Sequence, residues 1–136
     1  MYHRNSIMII VLISLFLAGC NSIQNASDPA EVATLRQFIQ AFADKNEAAY
    51  SRLICPSWES EAYLEFDAYQ GMQSKLGDLT CRRVGGQGGE ADVNCQGKIS
   101  LSYGTEQQEI DITPRIYHLV SNGGNWQVCG YTTGNQ

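Results

Sequence analysis

The chain is short of the residues that usually announce chemistry. Its 136 residues include two histidines and three prolines. One histidine, His118, lies outside the first few residues, and no CxxC pair occurs, so a Cys/His zinc centre is not expected. Neither GxxxxGK[ST] nor GxGxxG is present. Gly85-Gly86-Gln87-Gly88-Gly89 therefore reads as a loop tip and not as a phosphate cradle. No apolar run is long enough to span a bilayer, which takes about 20 residues. Ile7 to Leu17 has 11, interrupted only by Ser14. Cations are also scarce: nine Lys and Arg stand against fourteen Asp and Glu, for a net charge of -5. That balance argues against nucleic acid and anionic lipid headgroups as partners, and otherwise reads as a soluble surface.

What is present begins with a leader. Arg4, beside His3, supplies a positive n-region, and Ile7 to Leu17 suits the apolar h-region of a signal peptide. Leu17-Ala18-Gly19-Cys20 closes that run with small residues and a cysteine. A buried N-terminal helix or a plain secretory signal are the alternatives. The segment resembles a bacterial lipoprotein signal. The resemblance implies that residues 1–19 are removed and that Cys20 carries a diacylglyceryl thioether and an acylated amine of the palmitate type. Two or more acyl chains anchor a protein stably, at about 0.8 kcal/mol per buried methylene. Asn21, where an aspartate would favour inner-membrane retention, implies the outer membrane facing the periplasm in a Gram-negative cell. In other hosts the expected place is the outer face of the cell membrane.

The remaining chain, residues 20–136, fits one domain with a single core. Residues 20–27 are polar and without periodicity, as in a tether between lipid and domain. Four further cysteines, Cys55, Cys81, Cys95 and Cys129, read as two disulfides in an exported protein of this size. Four cysteines allow three connectivities. Cys81 and Cys95 flank the glycine-rich segment almost symmetrically. If that segment is a hairpin loop, they face each other across two strands. Cys55 and Cys129 are then left to join a helix end to the last strand.

Asp28-Pro29-Ala30-Glu31 opens a helix, with Asp28 as cap and Glu31 reaching back to it. Val32, Leu35, Phe38, Ile39 and Phe42 fall on one face at helical spacing. Asn46 caps a second, short helix that ends near Cys55-Pro56. A third helix is expected from Ser57 or Ser60 to about Leu76, stopped by Gly77. The period then becomes two: Val93, Cys95, Ile99, Leu101 and Tyr103 alternate with polar residues in a single strand. Ile110, Ile112, Ile116 and Val120 continue the pattern, with a bulge or edge at Pro114. Asn122-Gly123-Gly124-Asn125 reads as a hairpin turn and Trp126 to Tyr131 as the last strand. Residues 132–136 read as a frayed tail. Helices followed by an antiparallel meander of about four strands make an α+β domain over residues 28–131.

The order of Phe38-Ile39-Gln40-Ala41-Phe42, Ala48-Ala49-Tyr50-Ser51-Arg52-Leu53, Leu76-Gly77-Asp78-Leu79 and Trp126-Gln127-Val128-Cys129-Gly130-Tyr131 is similar to that in bacterial lipoproteins of the nuclear transport factor 2-like (cystatin-like) superfamily. The resemblance spans residues 29 to 131. It implies a curved sheet wrapped around a long helix, forming a cone with a pocket. Homodimerisation through the open sheet face is common in that superfamily. It hosts enzymes and scaffolds alike, so the fold does not settle function.

Relatives with isomerase or cyclase activity work with a buried carboxylate aided by tyrosine or histidine. The candidate parts here are Asp67, Asp111, His118, Tyr69 and Tyr103, none in a distinctive motif. Asp67 shares its helix with Glu59, Glu61 and Glu65, which reads as a solvated face. Trp58, Tyr63, Phe66, Tyr103, Trp126 and Tyr131 are the aromatic residues able to line a cone, or else to pack its core. No cofactor or metal is implied. The reading is a lipid-anchored, disulfide-stapled envelope protein without catalysis, binding a small apolar ligand or an envelope protein. An isomerase or cyclase-like enzyme is one alternative and an inhibitor or immunity-type partner is the other. An open space lined by Asp67 or Asp111, an open apolar space, and a filled one distinguish the three.

Overall fold

The computed structural model describes residues 27–134. The leader, Cys20 and its lipidation, most of the tether and the last two residues lie outside them. The domain is α+β, with three helices packed against two antiparallel sheets. Helix α1 spans Ala30–Ala43, α2 Glu47–Arg52 and α3 Glu59–Ala68, with a 3-10 turn at Pro56–Trp58. Seven strands follow: β1 Gln73–Leu76, β2 Thr80–Gly85, β3 Glu90–Gln96, β4 Lys98–Tyr103, β5 Glu106–Asp111, β6 Arg115–Asn122 and β7 Asn125–Thr133. They form a three-stranded sheet, β1-β4-β5, and a four-stranded sheet, β2-β3-β6-β7.

Several expectations are corrected by this arrangement. The sheet of about four strands is two sheets of seven strands in all. The third helix stops at Ala68 and does not reach Leu76, because Gln73–Leu76 pairs with β4 instead. The single strand expected through Val93 and Tyr103 is interrupted at Gly97, which divides it between the sheets. Asp28 does not cap α1. Pro29 occupies that position without a side-chain bond, while the Asp28 carboxylate accepts from Arg36 Nε at 2.6 Å. Two expectations hold locally: Asn46 caps α2, its side chain accepting from the Ala49 N–H at 3.1 Å, and the last strand includes Trp126 to Tyr131. That strand continues to Thr133, two residues into the stretch read as a tail.

The two sheets meet at a crease. Leu76 faces Ile99 on one side of it and Thr80 faces Cys95's neighbour Gln96 on the other, so the hairpin resumes its pairing after the bend. Gly77 N–H donates to the Lys98 carbonyl and Ile112 N–H to the Gly97 carbonyl, which carries the ladder up to the fold line. Gly97 sits where a side chain has no room: a Cβ there would lie 2.9 Å from the Asp78 carbonyl oxygen and 3.0 Å from Leu79 Cδ1. Pro114, which lacks an N–H and is expected at a bulge or strand edge, instead lies in the turn between β5 and β6.

Helix α1 packs against strands of both sheets. Val32, Leu35, Phe38 and Ile39 are buried there, as their spacing requires, against Val93, Cys95, Ile99, Leu101, Ile112, Tyr117, Leu119 and Val128. Each fully buried aliphatic side chain contributes roughly 2 kcal/mol. Glu31, expected to reach back to the cap, instead pairs with Arg83 of β2 at 3.1 Å, fixing the start of the helix on the sheet.

Cys81 pairs with Cys95 and Cys55 with Cys129, with Cα–Cα separations of 4.0 and 4.8 Å. The first links directly opposed residues of the β2–β3 hairpin. The second fastens the corner after α2 to β7, where Ile54 also bridges to Val128.

Two outcomes are expected. The separations of 74 and 14 residues mean that loss of Cys55–Cys129 should cost more than loss of Cys81–Cys95. Loop entropy sets the two costs at about 4.5 and about 3 kcal/mol. Paired Cys→Ala variants in urea denaturation decide this, and the reverse order would show that packing governs. Gly97→Ala should lose roughly 1–3 kcal/mol by crowding the crease. Gly71→Ala, with nothing within 4 Å of the new methyl group, should stay close to the parent.

Candidate functional site

The space between α1, α3 and the crease is the candidate site. Phe38, Ile39 and Phe42 of α1 face Ile99, Ile110 and Ile112 of the strands, with Glu65, Arg115 and Tyr117 at the same slot. Side chains fill it to a residue of about 10 Å³, the room of about one water. Three aromatic and four isoleucine side chains line it, and a cluster of rings packs behind Phe38 and Phe42. The Tyr50 ring stacks on Phe38 at 4.8 Å and on Phe66 at 4.6 Å, and Tyr63 and Phe42 approach the same rings edge-on or tilted. Aromatic pairs of this geometry add about 0.5–1.5 kcal/mol each beyond burial.

A charged node closes one side. Arg115 Nη1 lies 2.7 Å from Glu65 Oε1, and the two side chains retain only 17% and 20% of their exposure. The guanidinium also sits 4.3 Å from the centre of the Tyr131 ring and 3.5 Å from the Tyr117 hydroxyl. It is therefore satisfied on an edge by a carboxylate and on a face by a π-system. Burial pushes the Tyr117 phenol up to about 12, although Arg115 pulls the other way. Burial likewise raises the phenols of Tyr131 and Tyr50, and Tyr50 donates to the Ala62 carbonyl at 3.0 Å.

The aromatic candidates separate into groups. Phe66 is buried, Tyr63 packs beside it, and Trp58 and Tyr131 meet edge-on at 6.0 Å. Phe66 belongs to the core, and the other three are half-buried against it. Tyr103 ends β4 at 66% exposure, away from that interior, and Trp126 is half-buried at a shallow outer groove with Arg52, Asn125 and Gln127. Asp67, Asp111 and His118 do not line the slot. Asp67 is exposed on α3. Asp111 is exposed at the end of β5, where its Oδ1 accepts from the Thr113 N–H and holds its carboxyl below the usual range. His118 faces outward from β6, with Nδ1 3.0 Å from its cross-strand partner Asp92. Tyr69 packs edge-on against Phe42 at 5.9 Å.

In the sequence Glu65 reads as one acid of a solvated face, and nothing marks Arg115. Their 50-residue separation leaves no local signal of pairing. Among the described residues no group of three or more His, Cys, Asp and Glu is placed to hold a metal ion.

Glu65→Ala should cost roughly 3 kcal/mol, because it leaves Arg115 charged and largely desolvated. The double variant Glu65→Leu/Arg115→Met should return to within roughly 1 kcal/mol of the parent. Additive losses in chemical denaturation would remove the coupling. The raised Tyr117 value makes the fold sensitive to alkali. Its contribution is complete below pH 10, where both states are protonated, and is lost as pH climbs from 10.0 towards about 12. At pH 11 this amounts to about 1.4 kcal/mol. Comparing urea midpoints at pH 9 and 11 for the parent and Tyr117→Phe tests it; an equal alkaline loss in both would overturn it.

No protein-family model matches the chain, and no characterised protein matches it by sequence.

Proposed function

We propose that this is a lipid-anchored cell-envelope protein whose disulfide-stapled domain works by binding another protein, without catalysis. The carrying observation is the filled interior: about 10 Å³ is left between α1, α3 and the crease, where a cone-type pocket would hold an apolar ligand or a substrate. Small-molecule sites take roughly 300–1,000 Å³. Of the three readings, the inhibitor or immunity-type partner is the one that expects a packed interior. The enzyme reading needs a free carboxylate in an enclosed site; Asp67 and Asp111 are both exposed, and Glu65, which does line the slot, is paired with Arg115. The two disulfides suit an oxidising compartment, which agrees with export.

The finer fold assignment belongs to the same proposal. A helix held across a creased antiparallel sheet is in keeping with the nuclear transport factor 2-like architecture that the sequence resembles. The domain would be a filled version of that cone, used for its outer surface.

Two measurements test this reading. Wild-type protein should incorporate labelled palmitate and sediment with membranes, whereas Cys20→Ser should do neither. Equal sedimentation of the two would remove the anchor. Native mass spectrometry of the exported, oxidised Cys20→Ser form should show the bare polypeptide, lighter by about four hydrogens for two disulfides. A stoichiometric apolar molecule retained on the protein would overturn the protein-binding reading in favour of a ligand carrier.

A further inference from the structure

An open groove of about 890 Å³ runs between α1–α2 on one wall and residues 74–79 on the other. Its electrostatics differ from the rest of the molecule. The chain as a whole carries -5, but the ionisable side chains lining this groove are Arg36, Arg52 and Lys75 against Asp44 and Asp78. Arg36 is committed, with Nε on Asp28 and Nη1 donating to the Leu79 carbonyl at 2.6 Å. Asp44 accepts from Gln40 Nε2 at 2.9 Å. Arg52 and Lys75 are exposed and have no ion pair among the described residues. The groove thus presents two uncommitted cations and one uncommitted carboxylate, Asp78, in an otherwise acidic protein.

The strand wall is also incomplete. β1 is the edge of its sheet and pairs only with β4. Gly77 N–H donates to the Lys98 carbonyl, which makes Gly77 and Lys98 a hydrogen-bonded pair. By antiparallel alternation Lys75 is the next residue whose backbone bonds to β4, and the N–H and carbonyl of Leu76 point the other way. On either side the edge is tied to α1, by Ser74 Oγ donating to the Ala43 carbonyl and by Arg36 on the Leu79 carbonyl. Leu76 lies between the ties, at the open groove. An unpaired donor and acceptor on a strand edge form a template for an added extended segment.

We infer that this groove docks an extended, acidic segment of the partner protein, which pairs with the backbone of Leu76 and places carboxylates near Arg52 and Lys75. The inference rests on the protein-binding reading and names its surface. Edge pairing supplies the backbone bonds, and the two cations select the sign of charge.

The test uses the oxidised mature chain with Cys20→Ser and two defined probes, octapeptides of alternating Val–Glu and Val–Lys, followed by amide NMR. The Val–Glu peptide should shift the signals of Leu76, Gly77 and Arg52 and slow exchange of the Leu76 amide by roughly tenfold. Arg52→Glu/Lys75→Glu should weaken its apparent affinity by roughly tenfold or more with thermal stability unchanged, since both side chains are exposed. Equal binding of Val–Lys, or no shifts up to about 1 mM, overturns the groove. So does concentration-dependent dimerisation that itself protects Leu76, because a second copy is then the occupant. Val–Glu shifts confined to the outer sheet face around His118 also overturn the groove while leaving the protein-binding reading in place. That reading fails separately, on a small molecule retained in the native mass spectrum.

Discussion

The arrangement depends on the close approach of the Asp78 carbonyl to Gly97. A backbone oxygen 2.9 Å from where a Cβ would stand lets the β1–β2 segment cross β3–β4 at the bend with no side chain between them. Folding the strands there turns the inward faces of both sheets towards one helix. A flat sheet of the same strands would present Ile99 and Leu101 far from the residues around Val93, and α1 could cover only one set. The bend thus allows a single 14-residue helix to organise the core.

The same geometry explains why the interior is full. The helix brings Phe38 and Phe42 into the angle of the crease, and α2 and α3 add Tyr50, Tyr63 and Phe66. Phe38 and Phe42 fill the slot together with Tyr117 and four isoleucines, and the other rings pack behind them. Arg115 is tolerated at the boundary because Glu65 and Tyr131 satisfy it from two directions. What the domain offers to its surroundings is then the exterior, where backbone and charge are still unpaired.

Legibility varied with how local each cause was. The apolar face of α1 and the Asn46 cap are written in consecutive residues, and both were readable. The hairpin that opposes Cys81 to Cys95 was readable as well, since its loop and its flanks lie within one short stretch. The crease was hidden because the alternation of Val93, Cys95, Ile99 and Leu101 passes through Gly97 without losing phase. The end of α3 and the identity of β1 were hidden for another reason. Gln73–Leu76 has no strand pattern of its own and becomes a strand by pairing with β4, a tertiary cause. The Glu65–Arg115 node has no local signature. Each residue looks like ordinary surface charge until the fold brings the two side chains together.

The disulfide pattern bears on how the chain must mature. The bridges are nested: Cys81–Cys95 lies wholly inside the span closed by Cys55–Cys129. Of these four cysteines Cys55 is made first and Cys81 next, so the earliest pair within reach is a non-native one. Oxidation in order of emergence would join those two and strand Cys95 with Cys129. The native set requires Cys55 to stay reduced until β7 has arrived, or a wrong bridge to be reshuffled by thiol exchange. The Cys81–Cys95 bridge faces no such wait, since its hairpin is complete once β3 is out. Correct maturation therefore depends on the order in which the bridges close, and the last strand to appear licenses the outer bridge.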